Sequence, residues 1–166
     1  MLQQPVDPKS VVREAPLQLS IVVPTRNESG NVEPLLKRLG VALAGIEWEA
    51  IFVDDNSTDG TPELLTKIAQ ADRRVRLIRR MGRRGLSSAV VEGALASTTP
   101  IVAVIDADLQ HDEKILPDLY RAIANDGQMM RPMFIKEIKK LSGASPKELF
   151  KNENRRFLQF LISDKK

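Results

Sequence analysis

Positions 101–110 read Ile-Val-Ala-Val-Ile-Asp-Ala-Asp-Leu-Gln, and this run carries the strongest structural signal in the chain. Five apolar residues, most of them β-branched, follow Pro100 and lead directly into two carboxylates. A continuous apolar run of this length is typical of a strand that is buried on both faces of a sheet. The polar residues begin where the apolar run ends, so we expect chemistry at the carboxyl end of this strand.

The carboxylates after this strand have the spacing of a metal site. If the backbone stays extended, Asp106, Asp108 and Gln110 lie on one side of the chain, because side chains alternate along a strand. Two carboxylates and an amide oxygen suit a hard divalent cation such as Mg2+ or Mn2+, which usually shares its remaining positions with water and nucleotide phosphates. The alternative is a solvated loop that merely ends a strand.

Strands and helices are predicted to alternate along the chain. Apolar runs at 19–23, 50–53 and 75–78 predict three further strands, and segments with apolar residues at helical spacing lie between them. The short connections favour an α/β fold with a mainly parallel sheet flanked by helices. Polar clusters follow the strands at 25–28, 54–55 and 106–110. Parallel strands bring such clusters to one edge of the sheet, where ligands bind, so we expect a single site there.

The chain divides into three predicted segments. Residues 1–17, with three prolines and scattered charges, indicate a flexible N-terminal arm, and residues 18–127 form the α/β domain. Residues 128–166 form a tail with helical spacing of apolar residues, which favours a helix packed on the sheet or lying on a membrane surface. The tail positions concerned are Leu149, Phe150, Phe157, Phe160 and Leu161.

The composition excludes several classes of protein. The 166 residues are 42% hydrophobic and 28% charged, as in an ordinary single globular domain. No run approaches the roughly 18 apolar residues of a membrane span, and the first residues lack the features of a signal peptide, so we expect a cytoplasmic protein. The absence of cysteine excludes disulfides and thiolate metal sites.

Four motifs together closely resemble glycosyltransferase family 2, above all its dolichol-phosphate mannosyltransferases and their bacterial polyprenyl-phosphate relatives. They are Val-Pro-Thr-Arg-Asn-Glu at 23–28, Val-Asp-Asp-Asn-Ser-Thr-Asp-Gly-Thr at 53–61, Arg-Gly-Leu-Ser-Ser at 84–88 and Asp-Ala-Asp-Leu-Gln-His at 106–111. The resemblance covers residues 19–125 in the order and spacing of the family. It implies a GT-A fold, Rossmann-like, that binds a nucleotide sugar.

The resemblance also implies a reaction and a set of site residues. The reaction would be the inverting transfer of a hexose from a nucleoside diphosphate sugar to a polyprenyl phosphate, with GDP-mannose the first choice of donor and UDP-glucose the second. Asp106 and Asp108 would be catalytic and, with Gln110, would hold the metal. The residues that would line the nucleotide-sugar pocket are Pro24, Arg26, Glu28, Val53, Asp55, Asp106, Ala107 and Asp108.

Seven arginines lie between positions 73 and 84. For Arg80, Arg83 and Arg84 we expect phosphate contacts, because they precede a predicted helix start, where backbone N–H groups favour anions. For Arg73, Arg74 and Arg76 we expect a solvated edge strand and loop instead. The positive charge of these arginines would also favour a peripheral contact with an anionic membrane surface on the cytoplasmic face. Nucleic-acid binding is not expected, because aromatic side chains for base stacking are missing from this run.

The sequence departs from the family pattern at two places. Position 26 is arginine where many relatives have tyrosine, and the tail after Gly127 shows neither a fifth strand nor the family's acceptor motif. We therefore expect a nearly complete donor half and a replaced acceptor half. The alternatives are transfer to a saccharide hydroxyl and a nucleotide-binding remnant without turnover. His111, the single histidine, is predicted to support the metal site from outside it or to be solvated.

Overall fold

The computed structural model describes residues 16–126 and 156–159. The described elements alternate between strand and helix as far as α4. In chain order they are β1 (Leu19–Thr25), α1 (Ser29–Ala42), β2 (Trp48–Asp54), α2 (Thr61–Ala71), β3 (Val75–Arg79), α3 (Leu86–Ala96), β4 (Ile101–Val104), a short 3-10 helix (Glu113–Ile115), α4 (Leu116–Asp126) and β5 (Arg156–Gln159).

The five strands form one sheet in the order β3-β2-β1-β4-β5. Every pairing is parallel, with Leu19 of β1 opposite Trp48 of β2 and Ile101 of β4. The chain moves outward from β1 to β3 on one side and then crosses back to β4 on the other. This is the strand order of a Rossmann-like fold, whose ligands bind between the two central strands where the direction reverses. The predicted parallel α/β sheet is confirmed.

Helices α1 and α2 cover one face of the sheet, and they do so through apolar residues at helical spacing. Val32, Leu35 and Leu39 of α1 and Leu65 of α2 are fully buried against β1 and β2. Pro62 lies in the first turn of α2, where a proline N–H is not needed, and Gly60 precedes it in the left-handed conformation. The three central strands β2, β1 and β4 are buried, as their continuous apolar runs predicted, whereas the edge strand β3 is mostly half-buried.

Helix α3 covers the other face and approaches it closely through small residues. Ala89, Gly93 and Ala94 are its buried positions. A Cβ atom added at Gly93 would lie 2.4 Å from Cγ1 of Val22 and 3.0 Å from Cγ2 of Val53. The missing side chain therefore sets the distance between this helix and the sheet.

The predicted helical tail is wrong at residues 156–159, which form β5 beside β4. Ile101 of β4 pairs with Arg156, and Val104 pairs with Gln159. The outer edge of β4 offers unpaired backbone N–H and C=O groups, and pairing with them outweighs a helical spacing of apolar residues. The tail thus supplies a fifth strand, which corrects the expectation that it contains none. The other tail positions of the helical pattern, and residues 1–15 of the N-terminal arm, lie outside the described residues.

The longest described helix has 14 residues. Within the described part of the chain, no helix combines the length and the apolar character needed to cross a membrane.

The close approach of α3 predicts that Gly93→Ala will destabilise the protein. The added methyl group must displace Val22, and overpacking of this kind costs about 1–3 kcal/mol. Gly40→Ala is the matched control, since Gly40 lies in α1 with nothing within 4 Å of the added atom. That control should be neutral or stabilising by up to about 1 kcal/mol. Urea denaturation measures both, and equal stability of the two variants would contradict the packing described for α3.

Candidate functional site

Three polar loops meet at the carboxyl edge of the sheet, on both sides of the point where the strand order reverses. They follow β1, β2 and β4, which end at Thr25, Asp54 and Val104. β1 lies between β2 and β4, so the loop after β1 is the neighbour of both others. The predicted convergence of the three polar clusters on one edge therefore agrees with the sheet order.

The loops after β1 and β2 are joined by hydrogen bonds between backbone and side chain. The backbone N–H of Asn27 donates to Oγ of Ser57 at 2.8 Å, and the N–H of Thr58 donates to Oδ1 of Asn27 at 3.0 Å. The N–H of Glu28 donates to Oγ1 of Thr61 at 3.0 Å. Asn27 adopts φ 56°, a left-handed conformation that asparagine tolerates well. The two loops are consequently held as one unit.

Asp59 completes this connection. Its carboxylate accepts hydrogen bonds from the N–H of Ser29 at 3.0 Å and from the N–H and hydroxyl of Thr61 at 3.1 and 2.6 Å. These bonds, led by that of the Thr61 hydroxyl, hold the pKa of Asp59 far below its usual range. A charged Asp59 therefore ties the start of α1 to the start of α2.

The adjacent carboxylates after β2 have different tasks. Asp54 is fully buried and accepts hydrogen bonds from the backbone N–H and the hydroxyl of Ser57, so it shapes the turn that follows. Asp55 points to the other side, toward the segment that follows β3. Its Oδ1 accepts from Arg80 at 2.6 Å, and its Oδ2 accepts from the N–H of Gly85 at 2.8 Å.

Arg80 corrects one sequence prediction, because its side chain is only 1% exposed and its guanidinium is occupied by the protein. The group also donates to the carbonyl of Gly85 at 3.1 Å and to the hydroxyl of Ser88, and its Nε lies 3.3 Å from Oε1 of Glu92. A guanidinium enclosed in this way cannot reach a phosphate. Arg80 instead fixes the arginine loop, residues 79–86, which joins β3 to α3.

Arg83 and Arg84 are exposed, in contrast to Arg80. Arg83 donates to Oε2 of Glu92 at 3.2 Å, so Glu92 is shared between a buried and an exposed guanidinium. The exposed positions of Arg83 and Arg84 leave phosphate contacts open to them, and these two assignments stay predictions.

The acidic motif after β4 is a turn, which corrects the expectation of an extended backbone. β4 ends at Val104, and residues 107–109 form a turn and bend in which Leu109 has φ 62°. The N–H of Gln110 donates to Oδ1 of Asp108 at 3.1 Å, which closes the turn. Asp106, Asp108 and Gln110 therefore do not form a row along a strand. Asp106 is half-buried, whereas the other two side chains project into solvent.

His111 lies beside the motif, with Nε2 at 3.4 Å from Oδ2 of Asp106. Because the backbone turns here, the His111 side chain lies next to Asp106, whereas an extended strand would have directed it away. Within the described residues, no three His, Asp or Glu side chains are already gathered around a common metal position. A cation held by Asp106 and Asp108 would therefore have to take several of its ligands from water or from a bound molecule.

Arg38 of α1 makes contacts with the turn after β4 that the sequence did not predict. Its Nη1 donates to the carbonyl of Leu109 at 3.3 Å and lies 3.6 Å from Oε1 of Glu113, which is buried. These contacts connect the turn after β4 to α1. Arg38 and Leu109 are 71 positions apart in the sequence, and no local sequence motif predicts their contact.

The remaining predicted pocket residues occupy the same edge of the sheet with different exposure. Val53 and Ala107 are buried, Pro24 is half-buried at the end of β1, and Arg26 is exposed. Glu28 accepts a 2.6 Å hydrogen bond from the amide of Asn31. Val53 packs under α3 and Ala107 lies in the core, whereas the exposed Arg26 is accessible to a ligand, and these three pocket assignments stay predictions.

The family model described as Glycosyl transferase family 2 matches residues 20–162. A dolichol-phosphate mannosyltransferase of Pyrococcus furiosus is 39% identical over 109 residues, which cover 66% of this chain and 31% of that protein. One from Saccharomyces cerevisiae is 37% identical over 110 residues, covering 64% of this chain and 41% of that protein. The chain thus matches well under half the length of these relatives.

A solved structure shares the fold. It is the mannosyltransferase PcManGT of Pyrobaculum calidifontis in complex with GDP-Man and Mn2+, with a TM-score of 0.53 and 25% identity. The superposition covers 63% of this chain and 32% of that one. The parallel sheet with helices on both faces therefore agrees with the GT-A fold that the motifs implied.

The enclosure of Arg80 predicts a large loss of stability for Arg80→Met. The substitution leaves the Asp55 carboxylate largely buried without its cation, and breaking a buried pair in this way costs about 3 kcal/mol. Arg83→Met is the matched control, because it removes an exposed pair with the same Glu92 and should cost less than about 1 kcal/mol. Urea denaturation at neutral pH compares them, and similar small losses would show that Arg80 does not hold the loop.

Proposed function

The chain belongs to glycosyltransferase family 2, and we propose that its carboxyl sheet edge binds a nucleoside diphosphate sugar for transfer of the hexose to a polyprenyl phosphate. The observation that carries the proposal is the turn bearing Asp106 and Asp108 at the reversal of the strand order, beside the joined loops after β1 and β2. This is where α/β sheets of this order bind nucleotides.

The residues present fit a divalent cation. Asp106 and Asp108 offer carboxylate oxygens and Gln110 an amide oxygen, which are the donors that Mg2+ and Mn2+ prefer. In the described part of the chain no third acid is gathered beside them, so phosphate oxygens and water would have to complete the ion's shell. When bound, the ion would supply positive charge that stabilises the departing diphosphate.

His111 supports the site by orienting Asp106. In the tautomer that carries a proton on Nε2, His111 would donate to the Asp106 carboxylate and orient it, and such outer contacts are a regular part of metal sites. Arg38 does the same for the backbone of the turn through the Leu109 carbonyl. Both contacts keep the two carboxylates in position before any ligand arrives, which lowers the cost of binding.

The pocket on the β1 and β2 side would receive the nucleoside. Pro24, Arg26, Glu28, Val53 and Asp55 are the proposed contacts, together with Ala107 on the β4 side. Arg26 presents a planar cation that can stack on a base or pair with a phosphate. Each oxygen of Asp55 already accepts one hydrogen bond but can accept a second, so Asp55 can contact the nucleoside while it holds the wall of the pocket through Arg80.

The relatives support the choice of donor and acceptor. GDP-mannose is the first choice and UDP-glucose the second, because two named relatives are mannosyltransferases that act with dolichol phosphate and a structural neighbour is described with GDP-Man and Mn2+. A polyprenyl phosphate has a second pKa of about 6 and is mostly ionised at neutral pH. Such an acceptor needs no strong general base, so positioning and charge would carry most of the rate.

Replacing Asp108 tests the proposed site. Asp108→Ala should remove the Mn2+-dependent part of GDP-mannose affinity and leave the fold intact, because the side chain is exposed and outside the core. Asp118→Ala is the matched control, since Asp118 is an exposed carboxylate on α4 that pairs with Arg121. Titration calorimetry with and without Mn2+ measures the difference. Unchanged Mn2+-dependent affinity in a folded Asp108→Ala protein would exclude this metal assignment.

A further inference from the structure

Two large apolar side chains project from the arginine loop into solvent. Met81 is 74% exposed and Leu86 is 51% exposed, and they stand on either side of Gly82 and Gly85. Single exposed apolar residues are ordinary on protein surfaces. These two lie in one short loop, with the exposed Arg83 and Arg84 between them and the exposed Arg79 beside Met81 in sequence.

The loop carries an excess of positive charge. Arg79, Arg83 and Arg84 are exposed, and in the described part of the chain neither Arg79 nor Arg84 has an ion-pair partner. The nearby acids are already engaged, since Asp55 and Glu92 both contact Arg80. The exposed guanidinium groups therefore remain available to anions outside the protein.

The loop is held in shape before it meets any partner. Arg80 bonds both the Asp55 carboxylate and the Gly85 carbonyl, and Gly82 and Gly85 have φ of 72° and 127°, which glycine adopts without strain. A preformed loop cannot fold Met81 and Leu86 inward to hide them. The ordering cost of binding through them is correspondingly small.

From this combination we propose that the arginine loop docks on an anionic lipid surface. Met81 and Leu86 enter the headgroup region, and Arg79, Arg83 and Arg84 face acidic headgroups. The loop follows β3 and so lies at the same carboxyl edge as the turn with Asp106. The inference goes beyond the proposed function, because vesicle binding requires neither sugar nucleotide nor metal.

Two other anionic partners fit the loop less well. A nucleotide phosphate would use the arginines but would leave Met81 and Leu86 exposed. A nucleic acid would call for aromatic side chains that stack on bases, and the sequence from 79 to 86 contains none. Exposed apolar side chains flanked by cations are the combination that favours binding to an anionic membrane surface.

Vesicle sedimentation of the full chain tests the apolar contribution. The vesicles are phosphatidylcholine alone, or phosphatidylcholine mixed with phosphatidylglycerol in equal parts. The double variant Met81→Ser/Leu86→Ser should bind the mixed vesicles about tenfold more weakly than the parent. Val41→Ser/Leu95→Ser is the matched control, with exposed fractions of 75% and 53%, and should bind like the parent.

The charge contribution is tested separately. Arg79→Gln and Arg84→Gln should each weaken binding to the mixed vesicles by about fivefold, and added salt should reduce the difference. Lys37→Gln and Lys67→Gln, which neutralise exposed cations on α1 and α2, should leave it nearly unchanged.

Several results would overturn the proposal. These are absence of binding to mixed vesicles, equal binding to phosphatidylcholine alone, and equal losses in the two serine double variants. Conversion of a dimer to a monomer by Met81→Ser/Leu86→Ser, without vesicle binding by the parent, would assign the patch to self-association instead. Calorimetry with GDP-mannose separates this test from the proposed function, because the same double variant should keep the parent's nucleotide affinity.

Discussion

β1 is paired in parallel along both of its edges, and this pairing positions every loop of the candidate site. Because β2 and β4 flank the same strand in the same direction, the polar residues after all three strands must emerge at one edge of the sheet. The pairing is possible because the strand faces are filled by helices, with α3 brought close by Gly93. Core packing and site geometry are therefore consequences of one arrangement.

The loops at this edge are held by polar contacts between distant segments in addition to the hydrogen bonds within their own turns. Asn27 and Asp59 join the loops after β1 and β2, Arg80 joins β2 to the arginine loop, and Arg38 joins α1 to the turn after β4. Each of these connections between loops therefore uses a charged side chain for a structural contact. The half-buried Asp106 and the exposed Asp108 take no part in these junctions, and they are the carboxylates proposed to bind a ligand.

Much of this could be predicted from the sequence, and the failures have physical causes. Continuous apolar runs predicted β1 to β4, because strands buried on both faces need them. Local pattern could not tell which arginine of the loop is buried, since burial of Arg80 depends on Asp55, 25 residues away. It also could not predict the turn after Val104, or β5, whose pairing depends on the open edge of β4. The misses at Arg80 and β5 involved contacts between distant segments, whereas the turn after Val104 is closed by a local hydrogen bond.

The turn after β4 and the loop after β1 are proposed to form one metal-dependent nucleotide site. The most direct measurement is broadening of backbone amide NMR signals when Mn2+ is added to the labelled protein with GDP-mannose. We predict broadening centred on residues 106–110 and extending to Asn27 and Glu28, with little at the opposite end of the sheet. Broadening centred elsewhere, or independent of GDP-mannose, would contradict the assignment.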